Sequence, residues 1–436
     1  MGHTDSPELL LQQLIRFDTT NPPGNESGCI EFIRGLLEGE GVDVTILARD
    51  PARPNLIARL RGTGSAPPLL LYGHVDVVTT EGEQWEHRPF GGEIIDGSVW
   101  GRGALDMKGG VAMMLSAFLD AAGRTDLPRD IVLAIVSDEE AGGHLGARFL
   151  VDEHAGQFAG IRHAIGEFGG FTLHMGGRRF YPIMVAEKRF CRVTMSVRGA
   201  GGHGSLPVPG GAVGRLGLLL QQLDRTPLPI HITPVVRTMV EAIADGLPAV
   251  QGLVLRRLLN PRLAPALLRL PGPLARSFSP LLRNTVAPTI VAAGSKINVI
   301  PSEARVELDT RLLPGGTADD LRRELQAIVG SDVEIAIDED DHASPASPDM
   351  EMFDELASII RTLDPEGLPV PLLLPAVTDG RHFARLGIQT YGFLPMNLPP
   401  DLDFSRLIHA ANERIPVEAL RFGARAMGMV VGGRSW

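Results

Sequence analysis

The spacing of apolar residues divides the chain into segments of two kinds. In the first kind, short and nearly continuous apolar runs alternate with helix-type patterns. Examples are the runs NLIARL (55–60) and PLLLYGHV (68–75) and the helix-type GGVAMMLSAFLDAAG (109–123). Strands that are apolar on both faces are typical of a parallel sheet covered by helices on both sides. This pattern therefore predicts an α/β fold with a mostly parallel sheet.

The second kind of segment begins near the middle of the chain. The runs RFCRVTMSVRG (189–199) and ARVELDTRLL (304–313) alternate apolar and polar residues, as strands with one solvent-exposed face do. The helix-type pattern ADDLRRELQAIV (318–329) follows them, and an acidic, Pro- and Ser-rich linker (338–349) leads back to the first pattern. This part of the chain therefore predicts a smaller α+β domain.

These patterns predict two domains. Residues 1–188 and 345–436 form a discontinuous larger domain, and residues 189–344 form the smaller domain inserted into it. Within the insertion, residues 226–290 contain ten prolines and seven arginines but only two acidic residues. That composition predicts short helices broken by proline.

The charge and the cysteine content exclude several classes of protein. Lys and Arg number 41 against 52 Asp and Glu, and the formal net charge of −11 argues against a general nucleic-acid partner. Cys29 and Cys191 are isolated, so no disulfide framework is indicated and a reducing, cytoplasmic compartment is expected. The N-terminal residues predict an amphipathic helix rather than a signal peptide, and no apolar run is long enough to span a membrane.

Polar residues interrupt or follow the predicted strands of the larger domain, and another lies in the glycine-rich turn GRGALDMKGG (101–110). These candidate metal ligands and their neighbours are His74, Asp76, Asp106, Asp138, Glu139, Glu140 and Glu167. Each alone has a structural interpretation, but we expect them to converge at the carboxyl edge of one sheet, where the acidic groups would repel each other without a cation. His, Asp and Glu ligands without thiolate favour zinc, with cobalt or manganese as possible substitutes.

The motifs YGHVDVV, WGRGALDMKGGVA, VSDEEAGG, IGEFGG, GGHGS, GSKINVIPSEA and HAANERI occur in this order along nearly the whole chain. The set resembles the co-catalytic zinc metallopeptidase family of aminoacylase, acetylornithine deacetylase, succinyl-diaminopimelate desuccinylase, glutamate carboxypeptidase and carboxypeptidase S. The resemblance implies a zinc-exopeptidase-like catalytic domain with an inserted lid and dimerisation domain. It also implies two divalent metal ions.

The resemblance further implies the ligand set. Asp106 bridges the two metal ions, and His74 and Glu167 each bind one. Glu140 is the second ligand of the metal that His409 also holds. His409 is assigned through the resemblance alone, because LIHAANERIP reads from its pattern as a loop before a helix.

Catalytic roles follow from the same resemblance. Glu139 is the general base that takes a proton from metal-activated water, and Asp76 orients His74. A cis peptide bond is expected between Asp106 and Met107. The reaction implied is hydrolysis of the amide bond of an N-acyl amino acid or of a C-terminal peptide bond.

Three residues of the inserted domain match further family positions. His203 is the lid histidine that stabilises the oxyanion, usually in the active site of the other subunit of a homodimer. Asn298 and Arg311 contact the acyl or carboxylate end of the substrate, although Arg311 has the alternative of being a surface strand residue. An aminopeptidase or dipeptidase on the same core, or a non-catalytic binding protein, are the competing hypotheses. The intact Glu139 argues against the last of these.

Two interpretations of residues 226–290 stay open at this point. The segment is either an elaboration of the lid that packs on its own domain or widens a dimer interface, or a cap over a hydrophobic acyl chain. In the second case its arginines would meet a carboxylate or an anionic surface.

Overall fold

The computed structural model describes residues 6–207, 209–270, 272–341 and 345–432. The predicted N-terminal helix and the linker extend into residues 1–5 and 342–344, which lie outside the described residues. The strands are β1 Val44–Leu47, β2 Asn55–Leu60, β3 Leu69–His74, β4 Glu93–Ile95, β5 Ser98–Trp100, β6 Ile131–Val136, β7 His163–Gly166, β8 Leu173–Met175, β9 Arg178–Glu187, β10 Arg189–Arg198, β11 Gly202–His203, β12 Thr285–Ala293, β13 Val299–Ile300, β14 Glu303–Leu312, β15 Glu334–Asp340, β16 Leu368–Leu374, β17 Gln389–Gly392 and β18 Arg414–Pro416.

Helices surround these strands. They are α1 Pro7–Ile15, α2 Ser27–Gly39, α3 Lys108–Ala121, α4 Ala147–Glu153, α5 Ala212–Arg225, α6 Pro234–Gly246, α7 Ala249–Arg256, α8 Ala264–Leu268, α9 Pro273–Phe278, α10 Ala318–Val329, α11 Phe353–Leu363, α12 Gly380–Ala384, α13 Phe404–Leu407 and α14 Val417–Val431. Short 3₁₀ turns occur at Glu139–Ala141, Ala155–Phe158, Arg257–Leu259 and Ser279–Leu281.

The large sheet has the strand order β1-β2-β6-β3-β7-β17-β9-β16, with β8 paired to β9. Its centre, from β6 through β3 and β7 to β17, is parallel, and β16 is parallel to β9. Both faces are buried: Leu69 and Leu71 of β3 join one apolar cluster, while Leu70 and Tyr72 join another. The predicted mixed α/β fold with a mostly parallel central sheet is confirmed, and the covering of both faces explains why its strands read as continuous apolar runs.

The smaller sheet is antiparallel, in the order β12-β14-β10-β15. Its inward residues pack with α5 and α10 in a separate apolar cluster, which includes Val193, Val306 and Leu321. The chain enters this sheet directly from β9, since only Lys188 separates Glu187 from Arg189. The alternating burial of β10 and β14 accounts for the second sequence pattern.

Helix α6 departs from the assignment of residues 226–290 to the inserted domain. Its buried side chains, among them Val236, Met239 and Val240, join the large cluster of the parallel sheet and not the cluster of the small sheet. The helix packs against β16 and β9. The physical reason is its amphipathic face, which covers the edge of the large sheet that would otherwise be exposed at β16.

Candidate metal centre and active-site cleft

The parallel strands deliver the predicted ligands to one edge of the sheet. His74 is the last residue of β3, and Glu167 directly follows β7. Glu139 and Glu140 lie in the 3₁₀ turn after β6, behind Asp138 at φ 70°. This convergence is the behaviour expected of strand ends in an open parallel sheet.

The remaining ligands come from loops. Asp106 lies just before α3 and is joined to Met107 by a cis peptide bond. His409 follows α13 and has a φ of 56°, a left-handed conformation in a turn. Because α13 has only four residues, the position of His409 depends on tertiary packing rather than on a regular element.

The donor atoms form two groups that share Asp106. The Nε2 atom of His74 lies 3.3 Å from Oδ1 of Asp106 and 3.4 Å from Oε2 of Glu167. The Nε2 atom of His409 lies 3.2 Å from Oδ2 of Asp106 and 3.3 Å from Oε1 of Glu140. Each group therefore offers one imidazole nitrogen and two carboxylate oxygens.

The first histidine is oriented mainly by backbone. The Nδ1–H group of His74 donates to the carbonyl oxygen of Asp76 at 3.0 Å, while Nδ1 lies 3.5 Å from the Asp76 carboxylate. A carbonyl only accepts, so this contact places the proton on Nδ1 and leaves Nε2 free to bind a cation. The Asp76 carboxylate accepts the backbone N–H groups of Glu139 and Glu140, each at 3.1 Å, and so fixes the turn that carries both.

The protonation energetics of the cluster fit a divalent cation. Burial and neighbouring carboxylates raise the pKa of Glu167 to about 8 and hold the pKa of Glu139 well above its usual range. Oε1 of Glu167 is buried without a hydrogen-bond partner among the described residues. Buried carboxylates without donors are costly unless a cation binds them. The donor set, nitrogen and oxygen without sulfur, suits zinc or a similar divalent ion.

Glu139 lies beside the donor group of His74 and Glu167, and neither His74 nor His409 forms an ion pair with it among the described residues. One of its carboxylate oxygens lies within 4.8 Å of donor atoms of His74 and Glu167. It also lines the cleft in front of the cluster. Glu139 is therefore close enough to act on a molecule bound there.

A buried carboxylate that the sequence analysis did not single out holds the loop of residues 101–106. Glu413 accepts hydrogen bonds from the backbone N–H groups of Gly103 (3.1 Å), Leu105 (2.7 Å) and Asp106 (3.1 Å), and from Nη1 of Arg102 (2.9 Å). Both Glu413 and Arg102 are buried. The pairing of Glu413 with Arg102 could not be predicted, because a contact between distant residues leaves no local pattern. The only signal in the sequence was the presence of these two charged residues in the motifs WGRGALDMKGGVA and HAANERI.

The cleft in front of the cluster has a volume of about 380 Å³ and is formed by both sheets. The small sheet contributes Phe190, Arg192 and Arg311, and the loop after β16 and α12 contribute Val377, Arg381 and His382. No described residue of 226–290 lines it, so the segment does not cap the cleft in this chain. Sequence reasoning did not single out Phe190, Arg192, Val377, Arg381 or His382 as cleft residues.

Of the three predicted lid residues, only Arg311 lies in the cleft. Its guanidinium donates to Asp309 at 2.7 and 2.9 Å and stacks over the ring of Phe190 at 4.9 Å. His203 and Asn298 do not line the cleft and are exposed: His203 ends β11, and Asn298 directly precedes β13 and accepts the Gly204 N–H on its carbonyl oxygen at 2.8 Å.

An α/β sheet that presents imidazoles and carboxylates around a cleft defines a metallohydrolase class of protein. Comparison with known families gives the assignment: the model described as Peptidase family M20/M25/M40 matches residues 70–432, and the chain belongs to this family. The family resemblance inferred from the motifs is thereby confirmed. The chain is an enzyme, a metallohydrolase of amide or peptide bonds.

Individual relatives show what the chain is similar to. It is 31% identical over 370 residues to the N-fatty-acyl-amino acid synthase/hydrolase PM20D1 of Homo sapiens, covering 81% of this chain and 72% of that one. It is 30% identical over 373 residues to probable carboxypeptidase S-like 2 of Dictyostelium discoideum, covering 81% and 69%. The M20 family metallo-carboxypeptidase Sso-CP2 from Sulfolobus solfataricus shares the fold, with a TM-score of 0.70 at 16% identity over 97% of both chains.

The described residues contain no helix that is both long enough and apolar enough to cross a bilayer.

Proposed function

We propose that the chain is a dinuclear metal hydrolase that cleaves the amide bond of N-acyl amino acids or a C-terminal peptide bond. The observation that carries the proposal is the pair of donor groups that share Asp106, with Glu139 beside them. His74 and Glu167 would hold one ion, and Glu140 and His409 the other. Zinc is the proposed metal, with cobalt or manganese as substitutes.

Two divalent cations bound here would polarise the scissile carbonyl and lower the pKa of water. Glu139 accepts the proton of the attacking water and delivers it to the leaving nitrogen, because it lines the cleft beside His74 and Glu167 and pairs with neither histidine. The raised pKa of Glu139 suits a group that must hold a proton between these two steps. No covalent intermediate is required.

Recognition of a free carboxylate is assigned to Arg311. Arg311 lines the cleft, and because its Nε and Nη2 atoms donate to Asp309, a substrate carboxylate would meet Nη1 or displace Asp309. Arg192 and Arg381 add positive charge to the same cleft. Three arginines are not expected in a site that recognises a free ammonium, as in an aminopeptidase.

Completion of the site by a second copy is part of the proposal. His203 and Asn298 are exposed and outside this chain's own cleft, as residues that act in a partner's site would be. Strand β12 is an edge of the small sheet and exposes Ile290 and Val291. A homodimer through the inserted domain would cover that edge.

The test is Glu139→Gln in the metal-loaded enzyme. We expect two ions per chain by elemental analysis, as in the wild type, and a loss of turnover of about 10²- to 10⁴-fold. Glu366→Gln, at an exposed carboxylate far from the cleft, is the matched control and should change neither quantity. Near-normal turnover of Glu139→Gln would refute the base assignment.

The substrate class is tested separately with wild-type enzyme. A panel of N-acyl amino acids should be cleaved, whereas the same acyl amino acids with an amidated carboxyl group should show a raised KM. Preference for free dipeptides that carry an unblocked amino group would favour the dipeptidase alternative instead.

A further inference from the structure

The segment between Asp245 and Glu303 has an unusual charge. It contains no acidic residue, although Asp and Glu number 52 in the whole chain. It carries six arginines and Lys296 in a protein of formal net charge −11. This segment is therefore a local positive region on a negative protein.

Helix α7 within this segment exposes an apolar face. Val250, Leu253 and Val254 are 76%, 53% and 46% exposed, while Gly252 and Leu255 on the opposite face are buried. The three exposed residues and the next at this spacing, an arginine at 257, follow the i, i+3, i+4, i+7 pattern of one helix face. The helix thus has two apolar faces, one of which is left exposed by the described residues.

The chain that follows α7 continues the same composition. Leu263 and Leu270 are 40% and 62% exposed. Arg257, Arg262 and Arg269 are exposed and have no acidic partner among the described residues. We call residues 250–270 the basic apolar surface.

Two kinds of occupant fit this surface poorly. A second copy in a two-fold contact would place the same unpaired arginines opposite each other, and that repulsion opposes association. A polyanion such as nucleic acid would use the arginines but leave the exposed valines and leucines in water, where they contribute nothing to binding.

We propose that the basic apolar surface binds peripherally to anionic lipid, with the aliphatic side chains entering the boundary between headgroups and acyl chains and the arginines contacting the headgroups. Each group then meets its matching environment: aliphatic area leaves water and unpaired guanidinium groups gain anionic partners. This inference does not depend on the proposed hydrolytic reaction.

The test is vesicle co-sedimentation of the full-length, metal-loaded protein at low ionic strength. An equal mixture of phosphatidylcholine and phosphatidylglycerol should bind the protein, and phosphatidylcholine alone should bind it far less. The variant Val250→Ser/Leu253→Ser/Val254→Ser should bind at least about tenfold more weakly. The variant Arg257→Gln/Arg262→Gln/Arg269→Gln should lose about fivefold per arginine that contacts the surface.

Controls make the result specific. Arg88→Gln/Ile94→Ser alters an exposed arginine and an exposed isoleucine outside the basic apolar surface, and this variant should bind vesicles as the wild type does. All variants should keep the far-UV circular dichroism spectrum and the urea midpoint of the wild type, which shows that they fold. Equal binding to neutral and anionic vesicles, or unchanged binding of the serine variant, would overturn the proposal. Binding to a soluble polyanion that the serine variant retains would assign the surface to that class of partner instead.

Discussion

Replacement of Glu413 by Gln tests how the loop of residues 101–106, which carries Asp106, is held in place. The carboxylate of Glu413 receives four donors, and two of them are on each oxygen. An amide of the same shape keeps one oxygen but substitutes an NH₂ group for the other. In either orientation of the amide, two of the four donors then face the NH₂ group, which is itself a donor.

The cost can be worked from these contacts. A buried donor that loses its acceptor costs about 1–3 kcal/mol, and a broken buried ion pair costs about 3–5 kcal/mol. Arg102 keeps three other partners, Glu83 at 2.7 Å and the carbonyl oxygens of Ala410 at 3.1 Å and Thr79 at 3.4 Å, so its charge is not left alone. We therefore expect the lower part of the range, a loss of about 3 kcal/mol in the free energy of unfolding.

The assay is urea denaturation of the metal-free protein at a pH above about 7, the value to which burial raises the pKa of Glu413. Metal affinity is measured in parallel, because Asp106 N–H is one of the four donors and the loop should lose its fixed geometry. Glu418→Gln, at an exposed position on α14, is the control and should stay within about 0.5 kcal/mol of the wild type. A loss below about 1 kcal/mol with unchanged metal affinity would show that Glu413 does not hold the loop.

Two further predictions concern the inserted domain and Lys188, the residue between β9 and β10. His203→Ala should lower kcat with unchanged metal content. A mixture of this variant with Glu139→Gln should recover about a quarter of wild-type activity, because half of the dimers are mixed and each mixed dimer has one complete site. No recovery after confirmed subunit exchange would refute action across the dimer. Lys188 is buried, and burial, with the nearby Arg311, lowers its pKa to about 7 against about 10.4 when unfolded. The unfolded state then binds more protons between these values, so the free energy of unfolding should rise with pH across this window, and Lys188→Met should remove that rise in urea titrations made at several pH values.

Local pattern was sufficient wherever a site residue terminates a regular element. His74 and Glu167 end apolar strands, and the edge where such strands end is fixed by the parallel topology. Glu139 and Glu140 follow β6 in the same way. Their grouping could therefore be predicted before any coordinates were known.

Pattern failed where the position of a residue depends on distant parts of the chain. His409 lies in a left-handed turn after a four-residue helix, and only the resemblance to a family assigned it. The Asp76 carboxylate was expected to orient His74, yet its nearest donors are the side-chain amide of Asn21 at 2.9 Å and the backbone amides of Glu139 and Glu140 at 3.1 Å. Glu413 acts on a loop more than three hundred residues earlier. None of these contacts has a periodicity that a sequence could display.

Residues 226–290 show the same division between local and distant information. The proline spacing predicted short helices, and α6 begins as expected, with Thr233 as a capping residue and a proline in its first turn. What the pattern could not indicate was which core α6 would join. Its six buried side chains pack into the cluster of the large sheet.

The consequence is energetic. At about 1.5–3 kcal/mol for each large side chain, the burial of the α6 face contributes on the order of 10 kcal/mol, which is comparable to the whole stability of a typical domain. This part of the segment therefore stabilises the fold, whereas the exposed residues of the basic apolar surface contribute little to it.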